Sequence, residues 1–171
     1  MDDPATASPA LYVIDTSALV DLRMNYPHKT FGHLWQCFAD LSGEGRLVAP
    51  DEVRHELAQC DDELKTWTSS LEHLYCTTDE ALLECLARVM QTCPVHGGRY
   101  FDADPWIIAL ALQLHEAEAK TLFPRPVLIV THEIRQTKPG APPKIPDVAA
   151  THGIHCIRLQ GVFDLERWEG H

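Results

Sequence analysis

Four carboxylates stand where a parallel α/β sheet would deliver them to one edge. Asp15 ends the apolar run LYVIDTSALV, Glu56 lies in PDEVRHELAQC, Asp104 opens DPWIIALALQL, and Glu133 follows VLIVT after one intervening residue. Carboxylates gathered at the carboxyl ends of strands repel one another unless a cation lies among them. Their pattern predicts a divalent-metal site, and with it phosphodiester chemistry.

Each acid has a structural reading beside the chemical one. A carboxylate inside a buried strand is costly, so the strand must end at Asp15. Thr16 and Ser17 then either cap the next helix or hold the carboxylate in one rotamer, and Asp15 is itself a favoured N-cap type. Glu56 borders the helical stripe of Val53, Leu57, Cys60 and Leu64, so it either faces a cleft or snorkels to water, whereas Glu52 and Glu63 are expected on the solvated face. Asp104 precedes Pro105, a residue suited to a first helical turn, so capping and metal ligation are both open to it. Asp102, in the preceding loop, is an outside candidate for the metal or its waters. Asp147, in KIPDVAA, is expected to cap a short helix and is another outside candidate; His132 is a minor candidate for proton transfer.

Short apolar runs alternating with longer amphipathic ones are the mark of parallel strands joined by helices. Strands are expected at Leu11–Ile14, Arg46–Ala49, Leu74–Thr77, Val127–Thr131 and Ile154–Leu159, and helices at Ser17–Met24, Thr30–Leu41, Asp51–Leu64, Asp79–Met90, Pro105–Ala117 and Asp147–His152. Leu11–Ile14 and Val127–Val130 are apolar throughout, as strands covered on both faces should be. The expected fold is a single α/β domain over residues 1–171, a Rossmann-like parallel sheet flanked by helices, with residues 1–10 as a flexible lead. Gln136–Pro146 carries four prolines in eleven residues and reads as a surface loop beside the site.

The chain has 171 residues, 45% of them hydrophobic and 23% charged, which is ordinary for a globular domain. No apolar run approaches the roughly 20 residues of a membrane span. The acidic start MDDPATASPA has no apolar signal region, and the six cysteines form no close-spaced framework, so a reducing cytoplasm is expected. The net charge of −11, from 14 basic and 25 acidic residues, weighs against a tight non-specific grip on nucleic acid and suits a basic partner protein. Cys93 and His96 form one C-x-x-H pair with no second pair to complete a zinc site, and GxxxxGK[ST], GxGxxG and GxSxG are all missing.

Taken in order, YVIDTSALVDL, PDEVRHEL, ADPWIIALAL and LIVTHE resemble a PIN domain, the nuclease fold of many toxin–antitoxin toxins, from about Tyr12 to Leu159. RLVAPDEV and KIPDV look similar to a less characterised PIN subgroup. The resemblance implies that Asp15, Glu56 and Asp104 are the three principal acids, with Thr16 or Ser17 as supporting hydroxyl. Where the family usually has an Asp in a Thr-x-Asp pattern, Thr131-His132-Glu133 carries Glu. The family implies a Mg²⁺- or Mn²⁺-dependent endoribonuclease, often held inactive by a cognate antitoxin. Asp15 and Asp104 are the expected direct ligands, with Glu56 and Glu133 orienting waters or a second ion. RNA contacts are sought among Arg135, Lys138 and Lys144, and further afield at Arg23, Lys29 and Arg99; homodimerisation is left open.

Two rivals remain. One is a Rossmann-like regulatory or partner-binding module that holds Mg²⁺ without cleaving nucleic acid. A receiver domain with Asp15 as phosphoacceptor would be an example, but it lacks the usual acidic pair and late lysine. The other is a catalytically idle PIN-like protein that acts through its partner.

Overall fold

Residues 9–60, 62–92 and 104–168 are described by the computed structural model. Five strands, β1 (Leu11–Ile14), β2 (Leu47–Pro50), β3 (Tyr75–Cys76), β4 (Val127–Val130) and β5 (His155–Ile157), form one parallel sheet in the order β3-β2-β1-β4-β5. The chain steps outward from β1 through β2 to β3, then returns to set β4 on the other side of β1 and β5 beyond it. The direction of winding therefore reverses between β1 and β4. In open parallel sheets of this kind, ligands bind outside the carboxyl ends of the strands at that reversal.

The described residues contain eight helices: α1 (Thr16–Asn25), α2 (His28–Gly43), α3 (Asp51–Cys60), α4 (Asp62–Ser69), α5 (Glu80–Thr92), α6 (Asp104–Glu118), α7 (Ile145–Thr151) and α8 (Leu159–Glu166). All four residues of β1 are buried, and so are Ile107 to Leu112 of α6, which packs on β1, β2 and β4. This is why both segments are apolar without a polar face. The architecture is the Rossmann-like α/β fold that the alternation of runs predicts.

Several boundaries differ from expectation. The stretch Asp51–Leu64 is carried by two helices, α3 and α4, not one. Asp62 and Glu63 suit the positive amino end of a new helix and oppose the negative carboxyl end of the old one. The last strand ends at Ile157, and Leu159 opens α8, which was not expected; Leu159, Val162 and Phe163 are its buried face at helical spacing. Ala10, counted with the flexible lead, is buried, and its carbonyl accepts from Arg46 Nε. Gly153 ends α7 with φ +73, the left-handed turn its position after the helix requires. No helix among the described residues is long and apolar enough to cross a membrane.

α8 is tied to the sheet by a charged clamp. Tyr12 donates its hydroxyl to Glu166 Oε1 at 2.6 Å, and Arg46 pairs with both oxygens of the same carboxylate. The phenol is pushed well above its usual range, first by burial and then by that carboxylate.

Candidate functional site

Asp15 is the first residue after β1, and its N–H donates to Val130 O, extending the ladder toward β4 by one bond. Its backbone is extended and it occupies the N-cap position of α1, yet its side chain makes no capping hydrogen bond. The carboxylate turns instead to two hydroxyls, Ser17 Oγ and Thr131 Oγ1, the latter at 2.9 Å, and both donate to Oδ2. Each hydroxyl in turn accepts a backbone N–H, from His132 at 3.0 Å and from Glu133 at 3.1 Å. The two hydroxyl oxygens also lie 3.2 Å from each other, so Ser17, Thr131 and Asp15 form one hydrogen-bonded cluster. Of the two readings of Asp15, the capping one fails on geometry, and the hydroxyls fix the rotamer.

This carboxylate is 4% exposed. Burial raises its pKa above the ordinary value, the two hydroxyls pull it down, and the charges of Glu133 and Glu56 push it up again. The chain therefore gathers Asp15, Glu56 and Glu133 closely enough for their charges to act on one another. Glu56 reaches the site from α3, where Thr16 Oγ1 donates to its Oε2 at 2.5 Å. Both hydroxyls after Asp15 are used, one for each acid: Thr16 holds Glu56 and Ser17 holds Asp15.

Glu133 has a second attachment. Its Oε2 accepts the N–H of Ile145, the first residue of α7, at 3.0 Å. Asp147 Oδ2 accepts from the N–H groups of Lys144 and Gln136 at 2.9 Å each, so its role is to cap α7 and hold the proline-bearing loop. Arg135 and Lys138 are exposed on that loop and Lys144 is half-buried at its end. Asp104 is exposed at the first residue of α6, the helix that packs on β1 and β4. Asp102, Cys93, His96 and Arg99 lie outside the described residues.

Three side chains were missed or misplaced in the sequence. Asp21 Oδ2 lies 3.4 Å from His132 Nδ1, and Asp21 follows Ser17 by four residues, so the helical period could have placed it on the same face. Glu52, expected on a solvated face, is half-buried, with its carboxyl raised mainly by burial and one carboxylate oxygen enclosed without a hydrogen bond. It precedes Glu56 by one helical turn, a spacing that could have flagged it. Cys156, on β5, has its thiol pushed up to about 12 by burial first, with the charges of Asp15 and Glu133 adding to this and Arg135 opposing it.

Hard oxygen donors of this kind suit Mg²⁺ or Mn²⁺ rather than a softer ion. Both hydroxyls engage Asp15 at Oδ2, and Oδ1 has no donor among the described residues. Excess negative charge around a buried carboxylate is also what a cation would relieve. Among the described residues no three His, Cys, Asp or Glu side chains are grouped tightly enough to form a cage for an ion. Mg²⁺ does not require one, since it keeps several waters and takes one or two carboxylates directly.

Residues 12–169 match the family described as Domain of unknown function (DUF4411). No curated protein matches the chain.

Proposed function

We infer that this chain, which belongs to the DUF4411 family, is a metal-dependent endoribonuclease of the PIN type. The observation that carries the reading is the buried carboxylate of Asp15, held by Ser17 and Thr131 at the sheet's reversal point with the charges of Glu56 and Glu133 beside it. Keeping a carboxylate buried among like charges costs stability, and such an arrangement is retained where a cation and a phosphate are to be met.

In this reading Asp15 and Asp104 are the residues that hold Mg²⁺ or Mn²⁺. The ion supplies Lewis-acid polarisation of a phosphoryl oxygen and a more acidic bound water. The chain's own part is positioning. Ser17 and Thr131 keep Asp15 in one rotamer, Thr16 keeps Glu56 at the same edge, and the α7 amino end fixes Glu133. Glu56 and Glu133 then orient waters, and Arg135, Lys138 and Lys144 meet the phosphate backbone. By the same resemblance, the regulatory partner is a small antitoxin protein, and the chain's net charge of −11 suits a basic contact surface on it.

One observation favours a second reading, a module that holds a cation without cleaving RNA. The Glu133 carboxylate is engaged by Ile145 and already has a structural task. Incubating structured and unstructured RNAs with Mg²⁺, Mn²⁺ or EDTA separates the two. Cleavage with metal alone is expected; equal cleavage in EDTA overturns the metal mechanism, and metal binding with no cleavage favours the module.

A further inference from the structure

Beside the acidic site lies a cavity that the proposed chemistry has not used. It measures about 270 Å³ and is bounded by the loop after β4, by α7 and by the start of β5. Arg135 and His155 stand at its polar side, and Pro146, Ala150 and Ile154 form its apolar side. Pro146 and Ile154 are buried and form the floor, whereas Arg135, His155 and Ala150 are exposed.

The cavity adjoins the acidic site through the loop after β4 and the start of α7. Pro146, which lines the cavity, directly follows Ile145, whose N–H holds the Glu133 carboxylate, and the lining Arg135 follows Glu133 by two residues. A ligand in the cavity would therefore sit on the Glu133 side of the site. Its chemistry can be read from the lining. A guanidinium matches the paired oxygens of a phosphate, an imidazole adds a second donor, and the apolar floor suits the face of a sugar or base. Sites for drug-sized ligands run from roughly 300 Å³ upward, so this cavity suits something smaller, of the order of one nucleotide.

We propose that this cavity is the subsite for the nucleotide next to the scissile phosphate, with its phosphate on Arg135 and His155 and its sugar or base against Pro146, Ala150 and Ile154. The proposal rests on the RNA reading of the acidic site, and it adds His155 as a contact residue and gives Arg135 a defined partner. It also accounts for an acidic chain meeting RNA, since the Arg135 guanidinium stands at the cavity and basic groups need not be spread over the surface.

The full chain in EDTA, titrated by calorimetry with AMP, adenosine and an RNA tetranucleotide, tests it. AMP should bind more tightly than adenosine. Arg135→Gln, His155→Gln and the cavity-filling Ala150→Trp should each weaken AMP and the tetranucleotide by roughly tenfold or more. All three positions are exposed, and an unchanged melting curve for each variant verifies the fold. Equal affinity for adenosine and AMP, or AMP binding indifferent to all three changes, overturns the phosphate subsite. AMP weakened with the tetranucleotide unaffected makes the cavity a free-nucleotide site off the RNA path, which also overturns it. A wild type that cleaves RNA but fails this test keeps the hydrolase reading alone, and one that binds as expected but never cleaves loses only that reading.

Discussion

Thr131 donates its hydroxyl to Oδ2 of Asp15 at 2.9 Å, so the first residue after β4 holds the carboxylate of the first residue after β1. The same hydroxyl oxygen accepts the N–H of Glu133, which places Thr131 between two of the acids. Replacing it with Val removes both functions while keeping the branched shape. Thr131→Val should lower stability by about 1–3 kcal/mol and RNA cleavage by about tenfold or more, and Thr131→Ser should restore most of both. Denaturant melts and initial cleavage rates provide the check; full activity in the valine variant would remove Thr131 from the site.

Asp15→Asn tests the charge itself. In the metal-free chain the Asp15 carboxyl is raised, chiefly by burial, so the folded state binds its proton more readily than the unfolded state does. The stability this contributes is fully present below the unfolded value near 3.8 and is lost as pH rises through the higher folded value. Asn carries no such dependence. In EDTA the variant should gain on wild type as pH climbs from about 4 toward neutrality. Mg²⁺ should raise the melting temperature of wild type and do so much less for the variant, which should not cleave. A variant that melts lower at neutral pH and keeps the full Mg²⁺ response would make Asp15 a structural residue.

Thr16 and Glu56 should behave as one unit. Thr16→Val removes the hydroxyl that donates to Glu56, and Glu56→Gln removes the charge that it orders. Each should reduce cleavage, and the double variant should be little worse than the poorer single one. Losses that simply multiply would show that the hydroxyl acts elsewhere.

Salt dependence reports on the basic loop. Replacing Arg135, Lys138 and Lys144 together by Ala should weaken RNA binding and flatten its logarithmic slope against salt by about 0.7 for each phosphate that is no longer neutralised. An unchanged slope would place the three on an unrelated face.

The clamp at the other end of the molecule supplies a control. The Arg46 and Glu166 side chains are only 13% and 14% exposed, so breaking the pair leaves a charge and the Tyr12 hydroxyl poorly satisfied. Glu166→Ala should cost about 2–4 kcal/mol, yet leave the cleavage rate per folded molecule unchanged. A loss of turnover at full folding would link α8 to the active edge.

The sheet was legible because its central strands are apolar on both faces and the helices between them keep their period. Asp15 was legible for the same reason, as the polar residue that stops a buried strand. The segments that escaped were those where a single residue type serves two purposes. Leu159 suits a strand or a helix equally, and only packing made it the start of α8. Glu52 sits near the start of α3 with Asp51, where acids are common on the surface, so its type and helix-start position gave no sign of its partial burial. The attachment of Glu133 to Ile145 crosses a loop of irregular backbone, where no period exists to be read.

The bond between Thr131 and Asp15 joins positions 116 residues apart in the chain. During synthesis β1, α1, β2 and α3 all emerge well before β4, so Asp15 and Glu56 are made long before the hydroxyl of Thr131. Closure must wait for the strand that lands beside β1, and the loss of chain entropy it entails comes late. A ribosome-bound fragment ending before Thr131 would carry the first two acids but not the hydroxyl that seats Asp15. A cell making this protein thus meets a completed acidic pocket only once Thr131 has been delivered.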